Sequence, residues 1–364
     1  MKLYLKVLVG LAIVVATVFT QNNNCTLTGN SLNNLNSIQR QCTEIVIENF
    51  TVPANRTLLL RSLRSGTTIT FKGIIRFEYA EWEDDLIVVS GSNITVIGEP
   101  GHQFDCHGER WWDGQGGNGG KSKPKFFRTT NLNYSTVTGL NVRNTPKQVF
   151  SVNRCNHVVF SNIIIDNLDG DSRGGHNTDG FDLNENNDIT IQNSQIFNQD
   201  DCFAIGSGTN CNFFYNYCSG GHGISIGSVG GRRSNVVQNV HVKNCTVVNS
   251  VNGIRIKTIV NATGQVLDIK YEGIILENIT NYGIVVRGDY LNGGPTGHPS
   301  RGVPIRNFTL DNVHGRVQER GVNVYILLGE GVASGWKWTD VEVTGSRRTN
   351  VGCTGVPSNS GVEC

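Results

Sequence analysis

Short runs of β-branched and other apolar residues recur along the chain from about residue 85, and each run is followed by an asparagine or glycine within a residue or two. Runs of three to five such residues favour short β-strands, because strands select β-branched side chains. Asparagine and glycine suit the corner that follows, since both tolerate a left-handed backbone. The clearest copies occupy residues 158–162, 189–193, 240–244, 274–278 and 308–312.

The spacing of these copies indicates a solenoid. Their final asparagines are 31, 51, 34 and 34 residues apart, and a further run at 212–218 divides the interval of 51 residues into two. Repeats of about 20 to 50 residues are typical of solenoids. We therefore expect an all-β, single-domain parallel β-helix in which the corner asparagines form amide ladders. Residues 25–60 should cap one end, and residues 336–364 should close the other.

Polar residues recur at a similar interval in the middle of the chain. Asp179, Asp200, His222, Arg255 and Tyr290 follow one another at steps of 21, 22, 33 and 35 residues. In a parallel β-helix, residues one coil apart lie on neighbouring strands, about 4.8 Å from each other. The spacing therefore predicts one row of polar side chains along an open groove.

The predicted row contains three carboxylates, those of Asp179, Asp200 and Asp201. Adjacent residues of a regular strand face opposite ways, so Asp200 and Asp201 can line one site only at a turn or bulge. Three carboxylates this close repel one another, and we expect at least one raised pKa. One protonated acid facing ionised carboxylates is the arrangement that glycoside hydrolysis needs. For an isolated pair of aspartates, a calcium site or ordinary turn residues would be the alternative.

Cations and rings complete the row. His222 lies between two glycines, where an imidazole can hydrogen-bond a carboxylate and tune its proton. Arg255 and Lys257 flank Ile256, so a strand would place both cations on one face and the isoleucine in the core. Two cations beside hydrolytic carboxylates suggest an anionic substrate. Tyr290 could stack on a sugar ring, although each of these residues considered alone would suit a purely structural role.

Residues 108–126 form a distinct segment with two adjacent tryptophans, a glycine-rich run and the lysines Lys121, Lys123 and Lys125. We expect this segment to wall the groove and to contact a polyanion. A mobile insertion is the alternative interpretation.

The N-terminus and the charge indicate a secreted protein. Lys2 and Lys6 precede an apolar run at 7–19 that is too short to span a bilayer. Residues 1–20 are therefore predicted to be a secretory signal peptide, followed by the β-helix domain at 21–364. Without the two lysines the net charge falls from +1 to −1, so neither nucleic acid nor a membrane is an expected partner.

Ten cysteines in a secreted chain suggest disulfides. No cysteine pair or histidine cluster has the spacing of a zinc site, and we expect no metal. Nine glycosylation sequons occur, at Asn24, Asn49, Asn55, Asn93, Asn133, Asn244, Asn261, Asn278 and Asn307. Local spacing favours the pairs Cys25–Cys42, Cys202–Cys218 and Cys353–Cys364, and leaves Cys106, Cys155, Cys211 and Cys245 unassigned.

Four segments of the row together resemble the signature of glycoside hydrolase family 28, the polygalacturonases. They are Asn177-Thr178-Asp179, Gln199-Asp200-Asp201, Gly221-His222-Gly223 and Arg255-Ile256-Lys257. The wider segments 177–182 and 220–231 also resemble the secreted, fungal-type, endo-acting branch. The resemblance implies a right-handed parallel β-helix, an inverting mechanism and no cofactor.

The resemblance also implies a role for each residue. In an inverting enzyme the acid and base carboxyls lie about 6.5–9.5 Å apart, with water between them. The implied roles are Asp200 as general acid, Asp179 and Asp201 as the groups that hold and deprotonate water, His222 as support for the acid, Arg255 and Lys257 as ligands of galacturonate carboxylates, Tyr290 as a sugar contact, and Asn177 and Gln199 as further substrate-binding residues.

The function implied by the resemblance is that of a monomeric endo-polygalacturonase acting on polygalacturonate or pectin. Three alternatives stay open: a calcium-dependent pectate lyase, an exo-acting or rhamnogalacturonan hydrolase, and an inactive pectin-binding homologue. The compact length argues against the extra loops that exo action uses, and an inactive homologue would be expected to lack an aspartate that is present here. Methylation preference, product length and pH optimum are not determined by the sequence.

Overall fold

In the part of the chain that the structure describes, thirty short strands follow one another around a common axis. Each strand is hydrogen-bonded mainly to strands of the preceding and following coils. The computed structural model describes residues 25–291, 294–348 and 351–364. Within those residues, β25 and β26 make the one antiparallel pair. The strands are β1 (Thr26–Gly29), β2 (Glu44–Val52), β3 (Leu58–Leu60), β4 (Thr68–Lys72), β5 (Ile74–Phe77), β6 (Asp85–Ser92), β7 (Thr95–Gly98), β8 (Gln103–Asp105), β9 (Lys125–Thr138), β10 (Asn141–Arg143), β11 (Phe150–Asn153), β12 (Asn156–Ser161), β13 (Ile164–Asp166), β14 (Phe181–Asn184), β15 (Asn186–Gln192), β16 (Gln195–Asn198), β17 (Phe203–Ile205), β18 (Gly208–Phe214), β19 (Tyr217–Gly220), β20 (Ile224–Val229), β21 (Val236–Lys243), β22 (Thr246–Val248), β23 (Asn252–Ile259), β24 (Gln265–Ile279), β25 (Tyr282–Leu291), β26 (Gly294–Pro295), β27 (Ile305–Val317), β28 (Val322–Leu327), β29 (Ala333–Ser334) and β30 (Lys337–Thr344).

The parallel pairings confirm the predicted parallel β-helix. One stack of strands, here called the site sheet, runs β3, β6, the start of β9, β11, β14, β17, β20, β23, β25 and β28. Its inward-facing residues form continuous columns in the core, as where Phe181, Phe203, Ile224 and Ile254 pair in sequence and are fully buried. The intervals between paired residues vary from coil to coil, because the loops outside the strands absorb the difference.

Asparagine corners are confirmed, but the amide ladder lies elsewhere than predicted. Asn162, Asn193 and Asn244 all have a positive φ of 50–55°. Among the described residues, a run of three amide-to-amide hydrogen bonds follows a second corner, and isolated ones occur elsewhere, as where Asn278 donates to Asn249 at 2.8 Å. The three bonds of the run link Asn187 to Asn156, Asn210 to Asn187 and Asn239 to Asn210, at 2.6–2.8 Å.

The register corrects one predicted repeat. Residues 274–278 were expected to align with 240–244, but Val240 pairs with Ile269 and the equivalent corner is Gly273, which has a φ of 64° and is left-handed like the asparagine corners. Ile275 pairs with Thr246 on the next face instead. The strand β24 continues through the corner at Gly273, so it carries two similar runs and only one of them matches the repeat.

Both ends of the β-helix are covered. Helix α1 (Leu35–Gln41) buries Leu35 and Ile38 in the core next to the first coil, and helix α2 (Gly170–Arg173) lies in a loop before β14. At the far end, the Trp336 and Trp338 rings stack on each other. The backbone N–H of Trp338 donates a hydrogen bond to the Ser360 carbonyl, which attaches the C-terminal segment to this end. Neither helix in the described ranges has the length and apolarity that crossing a membrane requires.

The three predicted disulfides are confirmed, as Cys25–Cys42, Cys202–Cys218 and Cys353–Cys364. The four unassigned cysteines are buried thiols. The proposed signal peptide and Asn24 lie outside the described residues.

Candidate active site

An elongated cleft of about 590 Å³ lies on the outer face of the site sheet. Eight of the nine residues predicted to form the site line it. They are Asn177, Asp179, Asp200, Asp201, His222, Arg255, Lys257 and Tyr290.

The register of the site sheet sets the floor of this cleft. Asp182, Ala204, Ser225 and Arg255 face one another on successive strands β14, β17, β20 and β23. Each lies between inward-pointing apolar residues, so alternation turns its side chain outward. The small Ser225 side chain leaves room for the Asp201 carboxylate, which accepts its hydrogen bond, and Ala204 lines the cleft beside it.

Asp200 and Asp201 lie in the turn between β16 and β17, outside any regular strand, and this agrees with the prediction that both can line one site only at a turn or bulge. The Asn198 amide fixes this turn by donating to the carbonyl oxygens of Asp200 and Asp201, at 3.0 Å each. The disulfide from Cys202 to Cys218 begins at the next residue and ties the turn to the following coil.

The Asp200 carboxylate is held on both oxygens. The Asn177 amide donates to Oδ2 at 2.6 Å, and Nδ1 of His222 lies 2.7 Å from Oδ1. Burial alone would raise the pKa of Asp200. The hydrogen bond and charge of His222, with the charges of Lys257 and Arg255, outweigh burial and hold the pKa of Asp200 well below its usual range.

The Asp201 carboxylate is the centre of an ion network. It accepts hydrogen bonds from Ser225 at 2.7 Å, from Lys257 at 2.9 Å and from the Arg255 guanidinium. The Lys257 ammonium also lies 5.4 Å from the centre of the Tyr290 ring, within cation–π range. Both cations predicted to face substrate are therefore already paired with a protein carboxylate.

Asp179 and Asp182 stand beside this network with raised pKa values. Burial, reinforced by three neighbouring aspartates, raises the pKa of Asp179 well above its ordinary value. Burial also raises the pKa of Asp182 to about 6, with Lys125 opposing the shift and the charges of Asp201 and Asp200 adding to it. The expectation of at least one raised pKa among the clustered carboxylates is confirmed. One oxygen of Asp179 is buried without a hydrogen-bond partner, which suits a carboxyl that keeps its proton.

A family model of glycosyl hydrolases family 28 matches residues 42–364. The chain belongs to this family. A polygalacturonase from Cochliobolus carbonum is 53% identical over 88% of this chain and 87% of the relative. Endopolygalacturonase 1 from Colletotrichum lindemuthianum is 50% identical over 89% and 88% of the two chains.

A solved structure of the same family provides the comparison of folds. Endopolygalacturonase I from Stereum purpureum, complexed with two galacturonates, is 35% identical and superposes with a TM-score of 0.80 over 88% of this chain and 95% of that chain. As a family 28 member the chain is a glycoside hydrolase.

Gln199 is the predicted site residue that the family 28 cleft does not include. Its amide nitrogen donates to the Asn167 carbonyl and to Asp171, and its amide oxygen accepts from Thr178. These three bonds connect Gln199 to Thr178 in the Asn177-to-Asp179 segment, to Asp171 in helix α2 and to Asn167 in the loop before that helix. Both ends of the Gln199 amide are therefore bonded to other protein groups.

The segment 108–126 walls the cleft only in part. Gly117, Asn118 and Lys125 line it, whereas Lys123 is 1% exposed and bonded to Asp113 at 2.9 Å. The paired tryptophans of this segment are buried, so they form core rather than a sugar platform. Three cleft residues outside the predicted row are Asp182, Asn184 and Arg232. Of these three, Asp182 could have been found from the sequence, because it lies between the apolar residues Phe181 and Leu183 in a short strand and must therefore face outward.

Asp200, Asp201 and His222 also offer ligand atoms within 4.8 Å of one another, as a metal site would. Asp201 already binds two cationic side chains, however, and a divalent ion would have to displace them or lie against their charge. The arrangement suits proton transfer and anion binding better than the oxygen-rich cage that calcium takes.

Proposed function

We propose that this glycoside hydrolase is an endo-polygalacturonase, which hydrolyses internal α-1,4-galacturonosidic bonds of polygalacturonate or pectin with inversion. The observation that carries the proposal is the meeting of Asp179, Asp200 and Asp201 with two cations in one cleft. The names of the relatives support the same substrate class.

In this proposal Asp200 protonates the leaving oxygen, and Asp179 and Asp201 hold and deprotonate the attacking water. The low pKa of Asp200 depends on His222 and on the charges of Lys257 and Arg255. A galacturonate carboxylate bound at Lys257 and Arg255 neutralises those charges, so substrate binding raises the pKa of Asp200. Asp200 then binds a proton more tightly than it does in the free enzyme.

Movement of that proton also prepares the base. The charge of Asp200 is one of the causes that raise the pKa of Asp179. Once Asp200 is protonated, Asp179 loses this repulsion and ionises more readily, beside an Asp201 kept ionised by Arg255 and Lys257. One proton that passes from Asp179 to Asp200 thus prepares both the acid and the base.

The length of the cleft favours endo action over exo action. Residues on β9, β14, β17, β20, β23 and β25 and one residue before β11 line it, so the cleft crosses seven neighbouring strands of the site sheet. At about 4.8 Å per strand these seven strands extend for about 29 Å. Several sugar units can therefore bind on both sides of the cleaved bond.

The same proposal includes secretion, oligomeric state and glycosylation. We propose that residues 1–20 direct secretion, that residues 21–364 act as a monomer outside the cell, and that some sequons carry glycans. Three disulfides support an oxidising compartment.

A time course of products from polygalacturonate tests the proposal, with Asp200→Asn as the inactive control. We expect mixed oligomers early and short products late. Release of monomer alone from the start would show exo action. An unsaturated product that absorbs ultraviolet light and disappears with a chelator would show elimination, and no cleavage by the wild type would refute the proposal.

A further inference from the structure

Four aspartates line the cleft, and four cationic side chains oppose them: Lys125, Arg232, Arg255 and Lys257. Arg255 and Lys257 are both bonded to Asp201. Lys125 and Arg232 are therefore the two lysine and arginine side chains of the cleft that are not already bonded to a catalytic carboxylate.

Neither Lys125 nor Arg232 forms a salt bridge with any residue that the structure describes. Lys125 is half-buried at the start of β9, where its charge acts on Asp182 without a direct bond. Arg232 donates to the amide oxygen of Asn184, a neutral acceptor. Both cations therefore have donors free for a carboxylate of a bound ligand.

The cleft also makes room for the Arg232 side chain. A Cβ atom at Gly206 would lie 2.8 Å from Nη1 of Arg232 and 2.7 Å from the amide oxygen of Asn184. Gly206 lies in the bend that follows β17, and its missing side chain leaves a recess into which the Arg232 guanidinium, from the loop after β20, reaches. Arg232 is exposed to solvent over the rest of its side chain.

Both cations lie nearer the N-terminal end of the cleft than Lys257, which is on β23. Arg232 reaches the edge of β14 and β17, and Lys125 lies further toward the N-terminal end, on β9. Five strand-to-strand steps separate β9 from β23, which is about 24 Å at about 4.8 Å per step. A polymer held at both ends would pass directly over the aspartates.

We propose that Lys125 and Arg232 form a second anchor, which binds carboxylates of the polyuronate on the side of the cleavage point opposite Arg255 and Lys257. The inference rests on the proposed function and extends it. The second anchor determines how many sugar units bind productively, because it acts on binding and not on proton transfer. Its residues are specificity-determining and not catalytic.

The experiment compares Lys125→Gln, Arg232→Gln and the double variant with the wild type on polygalacturonate. Arg233→Gln is the matched control, since Arg233 is the adjacent exposed arginine and does not line the cleft. We expect KM to rise about five- to tenfold for each single variant, as for loss of a partly exposed charged hydrogen bond. We expect kcat to stay within about twofold and Arg233→Gln to match the wild type.

Two further variants separate charge from shape. Lys125→Arg should restore a KM close to that of the wild type, and Gly206→Ala should raise KM as Arg232→Gln does, because it fills the recess while keeping the arginine. The KM of the double variant should also respond less steeply to added salt than that of the wild type.

The results distinguish the inference from the function on which it rests. If the wild type does not cleave polygalacturonate, the proposed function fails. If the wild type cleaves it but the Lys125 and Arg232 variants match Arg233→Gln, or lose kcat at an unchanged KM, the second anchor is refuted and the proposed function stands.

Discussion

Replacing Asp182 by asparagine should stabilise the protein while it damages the cleft. The pKa of Asp182 is raised from 3.8 to about 6 because the carboxyl is buried beside other aspartates. The folded chain therefore holds this proton more tightly than the unfolded chain does. Stability is lost as pH rises from about 4 to about 6, and Asp182→Asn removes that loss because an amide does not ionise.

The structure gives the size of the effect. A shift from 3.8 to about 6 corresponds to at most about 3 kcal/mol at neutral pH. Asp182 is partly exposed to the cleft, so water screens the charge and we expect about 1–2 kcal/mol. Urea unfolding of wild type and Asp182→Asn at pH 3.5 and pH 7.5 would measure it, with equal stability at pH 3.5 and a more stable variant at pH 7.5.

Asp289 provides a control, because its pKa is shifted in the opposite direction and an asparagine substitution there should change stability in the opposite direction. Burial would raise the pKa of Asp289, but bonds from the Arg287 guanidinium and the Gly297 amide outweigh burial and lower it. Its contribution to stability is present above the unfolded pKa and is lost as pH falls. Asp289→Asn should therefore destabilise at pH 7.5 and do so less at pH 3.5. A difference between Asp182→Asn and wild type that does not change with pH, or a less stable variant at pH 7.5, would refute the reasoning.

Three further predictions concern the catalytic centre and its support. Asp200→Asn should lower kcat by about 10²–10⁴-fold while the chain still folds cooperatively, and near-normal turnover would exclude it as the acid. Lys257→Ala should weaken polygalacturonate binding far more than it lowers the melting temperature, as calorimetry of both would show; unchanged affinity would contradict its role. Replacing Cys202 and Cys218 by serine should cost about 3 kcal/mol in urea unfolding and lower kcat, because the disulfide begins beside Asp201.

The β-helix could be predicted because apolar alternation and left-handed asparagine or glycine corners recur from coil to coil. The register could not be predicted throughout, since residues 269–273 and 274–278 carry the same apolar alternation on either side of the corner at Gly273. The sequence pattern alone cannot say which of the two runs pairs with residues 240–244 of the preceding coil. The strand pairing in the structure shows that residues 269–273 do.

The site was predictable as a group but not in its pairings. Spacing places Lys257 near the aspartates, yet only the fold shows that its ammonium bonds to Asp201 across 56 positions of sequence. The position of Gln199 outside the cleft lining could not be predicted, because a signature segment does not reveal which way a side chain turns after a strand ends. Arg232 was missed because it reaches the cleft from a loop, and loop paths follow no period.

The unequal coils of the site sheet have an evolutionary consequence. Paired residues stay in register although the chain between them differs in length, as from Phe203 to Ile224 and from Ile224 to Ile254. Insertions at the rim can therefore accumulate without disturbing the acids on the floor. Descendants of one ancestral hydrolase could acquire new preferences for branched, esterified or terminal sugars by remodelling those rims alone.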